Sequence, residues 1–354
     1  MTRARTRLPR PRRQVASSRG IDVNSAVNKQ WRPGRFLALS AASWLIHAAA
    51  TAASSLCPAG SIQLIVPWPA GGGTDLQARV IAEPLAQRLG KQIVVVNRPG
   101  AGGVVGTNSF VNNAKPDGCT LLLATGAANT AAPYLFKDLQ YDPVADFTPV
   151  AFIAAAPNVL YVGSKSPYKT AQDFIAAARA NPGKYTYGSG GIGASSHLAG
   201  ALFTKLAGLD MVHVPYQGAA PALAALLGGQ VDISVDTAAQ IAQVRSGGLR
   251  ALAVASQRRL QALPDVPTFD EVGVKGLYYA FWGGVAGPKG MPPAMVQELN
   301  QAVNDVVNEP KVRDYFIANG GEVNPMTPAA FKSFWLDELK RNKDIVALAG
   351  AKAN

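Results

Sequence analysis

The chain has 354 residues and a formal net charge of +12, with 34 Lys and Arg against 22 Asp and Glu. Residues 1–53 hold ten of the basic residues and one acid, which leaves 24 basic and 21 acidic residues, a net of +3, for 54–354. The basic residues of 54–354 are scattered, which argues against nucleic-acid binding. An apolar content of 48% excludes a disordered chain, and two Cys with three His are too few for a typical zinc site.

Residues 1–53 have the features of a leader that is removed during export. An apolar run at 36–46 follows a basic flank at 29–35 and precedes small residues at 48–55, which is the order found in a secretory signal peptide. The apolar run is shorter than the roughly 20 residues of a membrane span. No Leu lies three residues before Cys57, so we expect no lipid anchor. The sequence therefore predicts cleavage within 50–55 and an exported mature protein.

Export gives the two cysteines a particular interest, because disulfides persist in oxidising compartments. Cys57 lies just before a predicted strand at 62–66, and Cys119 lies just before another at 120–124. If these strands are parallel neighbours, both cysteines lie at the same end of the sheet and can form a disulfide. Two unpaired, partly buried thiols fit the sequence equally well.

Beyond the leader, predicted strands alternate with predicted helices. The first series contains strands at 62–67, 93–97 and 121–125, a helix at 74–89, and a helix that follows a glycine-rich turn and ends near 114. Thr74 and Gln77 have the spacing of a capping box at the start of the helix at 74–89. Next come strands at 147–154 and 159–162, one on each side of Pro157.

The second series repeats this alternation. Its predicted elements are a helix at 171–180, a strand at 185–188, a helix at 196–206, a strand at 211–215, a helix at 221–227, a strand at 231–236, a helix at 238–246, strands at 249–256 and 278–287, and helices at 293–308, 311–319 and 328–347. Alternating strands and helices predict mainly parallel sheets flanked by helices. We therefore expect an α/β fold of two lobes joined by extended crossings, with lobe 1 formed by 54–155 and 285–354 and lobe 2 by 156–284.

A glycine-rich turn follows the first strand and precedes the first helix. Gly71, Gly72 and Gly73 allow the backbone to approach a ligand closely, and the helix start offers unpaired N–H groups that suit a carboxylate. Asp75 either caps this helix or binds a ligand hydroxyl. A tight turn that binds no ligand is the alternative reading of the motif.

A second glycine-rich turn lies at 188–197. Gly188, Gly190 and Gly193 match the dinucleotide fingerprint G-x-G-x-x-G between a strand and a helix. The next strand, however, ends without the acid that would bind a ribose hydroxyl. The sequence therefore argues against an NAD-linked oxidoreductase, and we expect no cofactor.

The same turn also contains two serines and a histidine. The order of residues departs from the G-x-S-x-G elbow of serine hydrolases, and neither His197 nor His213 has an acid nearby in sequence to orient it. We therefore expect no enzyme activity. Ser195 and Ser196 are interpreted as N-cap residues whose hydroxyls can bind an anion.

Two further residues are candidates for the site. Asp236 lies at the carboxyl end of the strand at 231–236, where α/β sheets bind ligands. A helix cap for the segment that begins at Ala238 is an equally good reading of this acid. Trp68 is expected to line a pocket, although most aromatic residues simply pack in a core.

The order of several short motifs resembles the Bug family of periplasmic substrate-binding proteins, which serve tripartite tricarboxylate transporters. The likeness extends from about residue 62 to 340. The motifs that carry it are VPWPAGGGTD at 66–75, VNRPGAGG at 96–103, KPDG at 115–118, YGSGGIGASSHL at 187–198, VPYQG at 214–218, GQVD at 229–232 and LPDVPT at 263–268.

The resemblance implies a two-lobed periplasmic binding protein of type II-like architecture with its ligand cleft between the lobes. It implies capture of a small carboxylate, which can be a di- or tricarboxylate, an aromatic acid or an amino-acid-like acid. The expected partners are the membrane subunits of the transporter or, alternatively, a membrane sensor, and the chain is expected to be a monomer. With Trp68 and Asp236 included, the expected ligand-binding residues are Trp68, Ala70, Gly71, Gly72, Thr74, Asp75, Thr125, Ala127, Gly193, Ala194, Ser195, Ser196 and Asp236.

Overall fold

The structure, a computed structural model, describes residues 56–351. The leader predicted at 1–53 and its cleavage region lie outside the described residues. Within the described part of the chain, no helix is long and apolar enough to cross a membrane.

Strands and helices alternate along most of the chain, as predicted. The strands are β1 (Ser61–Val66), β2 (Gln92–Asn97), β3 (Thr120–Thr125), β4 (Phe147–Gly163), β5 (Thr186–Ser189), β6 (Val212–Pro215), β7 (Ile233–Thr237), β8 (Leu249–Val254) and β9 (Ala280–Pro288). The helices are α1 (Gly73–Leu89), α2 (Val104–Asn113), α3 (Ala132–Leu135), α4 (Ala171–Ala180), α5 (Ser195–Leu206), α6 (Ala219–Leu227), α7 (Ile241–Arg245), α8 (Pro293–Asn308), α9 (Pro310–Ala318) and α10 (Pro328–Ala349).

The strands form two mainly parallel groups that share a long antiparallel strand. The order is β2-β1-β3-β9-β4-β7-β5-β6, and β8 also pairs with β4. Strands β1, β2 and β3 run parallel to one another, as do β5, β6 and β7, whereas β9 and β4 run antiparallel to their neighbours. Because the two parallel groups lie at opposite ends of the strand order, each can form the sheet of one lobe.

Strand β4 crosses from one group to the other without a break. The sequence predicted two strands around Pro157, and this prediction was wrong. Pro157 is the last residue of β4 that pairs with β9, and pairing with β7 begins at Asn158. The missing N–H of the proline therefore falls where one ladder ends and the next begins, a position at which a strand tolerates proline.

The carboxyl-terminal helix α10 also spans both groups. Phe331 and Trp335, in its first half, pack in an aromatic cluster with residues of β3, β4 and β9. Ile345 and Val346, near its end, pack in the core that surrounds α4, α5 and β7. The side chain of Asn342 lies between them and donates a hydrogen bond to Thr130 Oγ1 at 2.9 Å. Helix α10 thus joins the two cores.

Cys57 and Cys119 are joined in a disulfide, with their Cα atoms 4.5 Å apart. The arrangement follows from the sheet, because β1 and β3 are parallel neighbours and each cysteine lies on the amino-terminal side of one of them. The ligand-binding edge of an α/β sheet is the opposite one. The disulfide therefore lies at the far end of these strands from the candidate site.

The predicted helix caps differ from those in the structure. Helix α1 begins at Gly73, one residue before the predicted start, so its N-cap is Gly72 and the predicted Thr74–Gln77 capping box is absent. Helix α5 begins at Ser195 with Ala194 as its N-cap, so the prediction that Ser195 and Ser196 are N-cap residues was wrong. In both cases the glycine-rich turn adopts the backbone conformation that precedes a helix, so the helix can begin without a side-chain cap.

Candidate functional site

A cavity of about 790 Å³, including the solvent space at its mouth, lies where the carboxyl ends of the two parallel groups face each other. It is bounded by the residues that follow β1 and β3 on one side and β5, β6 and β7 on the other. Its lining residues are Trp68, Pro69, Ala70, Gly72, Gly73, Thr74, Thr125, Ala127, Gly190, Ala194, Ser195, Ser196, Gly218, Ala219, Ala220, Pro221, Asp236, Thr237, Gln240 and Phe281.

Most of the predicted site residues lie on this cavity, but three do not. Gly71, Asp75 and Gly193 are absent from its lining. The other ten are brought together from four separate segments of the chain. They are Trp68, Ala70, Gly72, Thr74, Thr125, Ala127, Ala194, Ser195, Ser196 and Asp236.

Asp75 stabilises the first glycine-rich turn but does not line the cavity. Its carboxylate is 2% exposed and accepts hydrogen bonds from the N–H of Gly71, Nε of Arg79 and Nδ2 of Asn97, each at 2.9 Å. Burial acts to raise the pKa of Asp75, but these hydrogen bonds outweigh it and lower the pKa below its usual value. The three donors therefore compensate the negative charge of Asp75 outside the cavity lining, and the bond to Gly71 fixes the shape of the turn.

The second turn is fixed in a similar way by side chains of α5. Ser196 Oγ accepts a hydrogen bond from the N–H of Gly190 at 3.0 Å, and His197 Nδ1 accepts one from the N–H of Gly193 at 3.2 Å. Ser195, at the first position of α5, lines the cavity and is only partly buried. Its hydroxyl is therefore the one on this turn that is available to a ligand, whereas Ser196 also holds the backbone.

The two histidines stack on each other instead of facing the cavity. Their ring centroids are 4.2 Å apart, and burial lowers the pKa of each to about 4. His213 Nε2 lies 2.7 Å from Ser189 Oγ. This serine–histidine pair lies outside the cavity lining and has no carboxylate partner among the hydrogen bonds of the described residues. The arrangement therefore lacks the triad and the substrate access that hydrolysis requires.

Asp236 is the single ionisable side chain among the described residues that line the cavity. It is 6% exposed, and its Oδ1 accepts a hydrogen bond from the N–H of Thr237 at 2.7 Å. Burial raises the pKa of Asp236 to about 6, although the Thr237 hydrogen bond acts in the opposite direction. The side chain of Asp236 therefore changes from uncharged to charged as the pH rises through about 6.

Sequence reasoning missed a third helix start and four other lining residues with side chains. Gly218 and the first three residues of α6 line the cavity, as do Pro69, Thr237, Gln240 and Phe281. The motif at 214–218 signalled the α6 turn, but its position beside the other two turns depends on the sheet order. The three helices α1, α5 and α6 all begin at the cavity, and the described lining contains no Lys, Arg or His. An anion here would be held by backbone N–H groups and hydroxyls.

The chain matches known proteins over most of its length. Residues 77–350 match the TctC family, described as the tripartite tricarboxylate transporter family receptor. The chain is 36% identical to Protein BugT of Bordetella pertussis (strain Tohama I) over 306 residues, which cover 86% of this chain and 94% of BugT.

Solved structures show the same fold. The structure of the periplasmic binding protein BugD has a TM-score of 0.78 and 33% identity, and the alignment covers 83% of this chain and 99% of BugD. The structure of R. palustris Rpa4515 with adipate has a TM-score of 0.80 and 31% identity, with coverage of 83% and 99%. The predicted two-lobed α/β fold of a periplasmic binding protein is confirmed. The relatives are receptors and not enzymes, and the chain belongs to the TctC family of tripartite tricarboxylate transporter receptors, which includes the Bug proteins.

Proposed function

We propose that this protein captures a small carboxylate between its two lobes in the periplasm and delivers it to the membrane subunits of a tripartite tricarboxylate transporter. The observation that carries the proposal is the convergence of three helix starts on a cavity without basic side chains in its described lining. The related protein Rpa4515, whose structure was solved with adipate, supports the ligand class. Cleavage of the leader at 1–53 would release a periplasmic monomer without a lipid anchor.

Backbone groups can supply enough affinity for this task. A hydrogen bond to a charged group contributes roughly 1.5–3 kcal/mol, and a helix terminus adds about 0.3–2 kcal/mol. Four or five such contacts, less the cost of association, reach about −8 kcal/mol, which is micromolar affinity. No basic side chain is needed to hold the acid.

The proposed lobes are 54–155 with 285–354 and 156–284, and ligand would favour the closed arrangement by binding it more tightly. Two glycine turns, one from each lobe, support this view. A Cβ atom added at Gly102 would lie 2.5 Å from the carbonyl oxygen of Ile192. The absence of a side chain at Gly102 thus allows the turns to meet beside the cavity.

Gly102→Ala is therefore expected to hinder closure and to weaken ligand binding by about tenfold, or 1.4 kcal/mol. The backbone at Gly102 has φ +64°, so alanine also adds strain there. Gly208→Ala is the matched control, because Gly208 has the same φ and no atom within 4 Å of its added Cβ. Gly208→Ala should lose about 1–2 kcal/mol of stability, the cost of a left-handed residue, and Gly102→Ala should lose at least as much. Equal affinities of the two variants, measured by calorimetry, would contradict the closure role.

The proposed function is tested by thermal shift with di- and tricarboxylates, aromatic acids and amino acids. At least one acid should raise the melting temperature, because a ligand that binds only the folded state stabilises it. Mass spectrometry of the ligand that co-purifies from the native periplasm would then identify the acid. If no acid raises the melting temperature, the proposed ligand class is wrong.

Ser195→Ala is expected to weaken binding of that acid by about tenfold or more, because it removes one hydrogen bond to a charged group. Adding Ser196→Ala should weaken it further, but it also leaves the N–H of Gly190 without its acceptor. The single variant is therefore the cleaner test. Affinity is measured by isothermal titration calorimetry, with Ser246→Ala at an exposed serine as the control. An unchanged affinity in the double variant would remove both hydroxyls from the site.

A further inference from the structure

The main cavity has a smaller neighbour on the far side of Phe281. This side chamber has a volume of about 410 Å³, including the solvent space at its mouth, and it shares Gly73, Thr237 and Phe281 with the main cavity. Its remaining lining includes the alanines 154–156 of β4 and the rings of Tyr315 and Phe316 at α9. The shared residues place the chamber beside the proposed binding site, and its mainly apolar walls reach the surface at Leu76, which is 39% exposed.

One buried amide lines this chamber. Gln77, in the first turns of α1, is 6% exposed, and its Oε1 is enclosed without a hydrogen-bond partner among the described residues. Buried side-chain oxygens usually have a partner, because leaving one unpaired costs free energy. Gln77 Oε1 lies against Gly283 of β9, so the folded chain does not use the full hydrogen-bonding capacity of this amide.

The neighbouring strand leaves room for this amide. A Cβ atom at Gly283 of β9 would collide with Oε1 of Gln77. The glycine thus creates the space in which the Gln77 side chain lies under the sheet. Rotation about the last side-chain torsion of glutamine exchanges its oxygen and nitrogen, so the amide can offer either an acceptor or a donor to the chamber.

The chemistry of the chamber restricts what can enter it. Its described lining contains no Asp, Glu, Lys, Arg or His, and the other side-chain amide, that of Asn319, already donates to the carbonyl oxygen of Tyr315 at 2.8 Å. A charged group would be poorly compensated there. A carbon chain or ring that ends in an uncharged hydroxyl or amide would fit both the apolar walls and Gln77.

The position of Gln77 on α1 sets the length of such a ligand. Gln77 lies three residues beyond Thr74, which corresponds to a rise of about 4.5 Å along the helix. A carboxylate bound at the start of α1 would thus lie roughly one helical turn from the backbone of Gln77. This separation matches an acid of about six carbons or a phenyl ring with a substituent opposite the acid.

We propose that the side chamber is a second subsite, in which Gln77 selects acids that carry an uncharged hydrogen-bonding group at the end remote from the carboxylate. This inference rests on the proposed function, because it assumes that a carboxylate binds in the main cavity. It gives Gln77 the role of a specificity-determining residue for a hydroxy or amide acid.

The test compares two matched pairs of acids in calorimetric titrations. The pairs are hexanoate with 6-hydroxyhexanoate and phenylacetate with 4-hydroxyphenylacetate. In at least one pair, the wild type should bind the hydroxylated acid about tenfold more tightly. Gln77→Met keeps the length of the side chain and removes the amide, so it should reduce this preference to about onefold or reverse it. Gln87→Met, at an exposed position of the same helix, should leave the preference unchanged.

A ratio of affinities separates selection from a general loosening of the cavity, because loosening weakens both members of a pair. The Gln77→Met variant should also melt at a higher temperature than the wild type without ligand, since it removes an unpaired buried amide. The inference is overturned if the preference is the same in Gln77→Met, or if other acids bind and neither pair does. If no acid of any kind binds the wild type, the proposed function fails first and this inference fails with it.

Discussion

Replacement of both Cys57 and Cys119 by serine is expected to lower the free energy of unfolding by about 4 kcal/mol. The disulfide links residues separated by 62 positions in the sequence. In the chain-entropy treatment, closing a loop of this length in the unfolded state corresponds to about that amount. The same loss is expected when the wild type is reduced, because reduction also opens the loop.

Urea unfolding followed by tryptophan fluorescence measures this loss. Reductant should shift the midpoint of the wild type and should have no effect on the double serine variant. Ligand affinity should stay nearly unchanged, because the disulfide precedes β1 and β3 whereas the cavity lies beyond their carboxyl ends. Two alkylatable thiols in the exported protein, or equal midpoints with and without reductant, would contradict the expected role of the bond.

Local patterns in the sequence were sufficient to predict most elements of the fold. Apolar runs bounded by glycine gave β1, β2 and β3, and the alternation with helices gave their parallel order. The break predicted at Pro157 failed because the effect of a proline depends on which strand lies beside it. The predicted Thr74–Gln77 capping box is absent because a glycine can precede a helix without a side-chain cap. Gln77 is buried instead against Gly283 of β9, a strand that is distant in the sequence.

The candidate site was predictable where a short motif carries its own geometry. The glycine turns before α1 and α5 have this property, because the first N–H groups of any helix have no partner within the helix. Asp75 was ambiguous because helix-capping and ligand-binding acids occupy the same position in such a turn. Phe281 and the start of α6 carry no local signal of ligand contact, because only the order of strands in the sheet brings them to the cavity.

The free energy of unfolding of Asp236→Asn minus that of the wild type is expected to be about 2–3 kcal/mol larger at pH 8 than at pH 4. Burial raises the pKa of Asp236 from 3.8 to about 6 in the folded state. The folded protein therefore binds this proton more tightly than the unfolded chain does. The resulting stabilisation is fully present below pH 3.8 and is lost as the pH rises through 6, at about 1.4 kcal/mol per pKa unit.

The comparison must be a difference between variant and wild type at each pH, because two other groups act in the opposite direction. Burial lowers the pKa of His197 and His213 to about 4, so the wild type loses their contribution as the pH falls from 6.5 toward 4. Subtracting the wild-type free energy of unfolding cancels both histidines, since they are unchanged in Asp236→Asn. A difference that does not vary with pH would show that Asp236 titrates with an ordinary pKa.

The same acid should make ligand binding depend on pH. Aromatic monocarboxylic acids are already mostly ionised at pH 5, so as the pH rises from 5 to 8 the main change at the cavity is ionisation of Asp236, which then repels such an acid. We expect the wild type to bind an aromatic monocarboxylate about tenfold more weakly at pH 8 than at pH 5, and Asp236→Asn to bind it nearly equally at both. An amino-acid ligand would reverse this result, because its ammonium group would pair with ionised Asp236. If Asp236→Asn binds the ligand more weakly than the wild type does at pH 8, then Asp236 recognises an amine and does not act by repelling an acid.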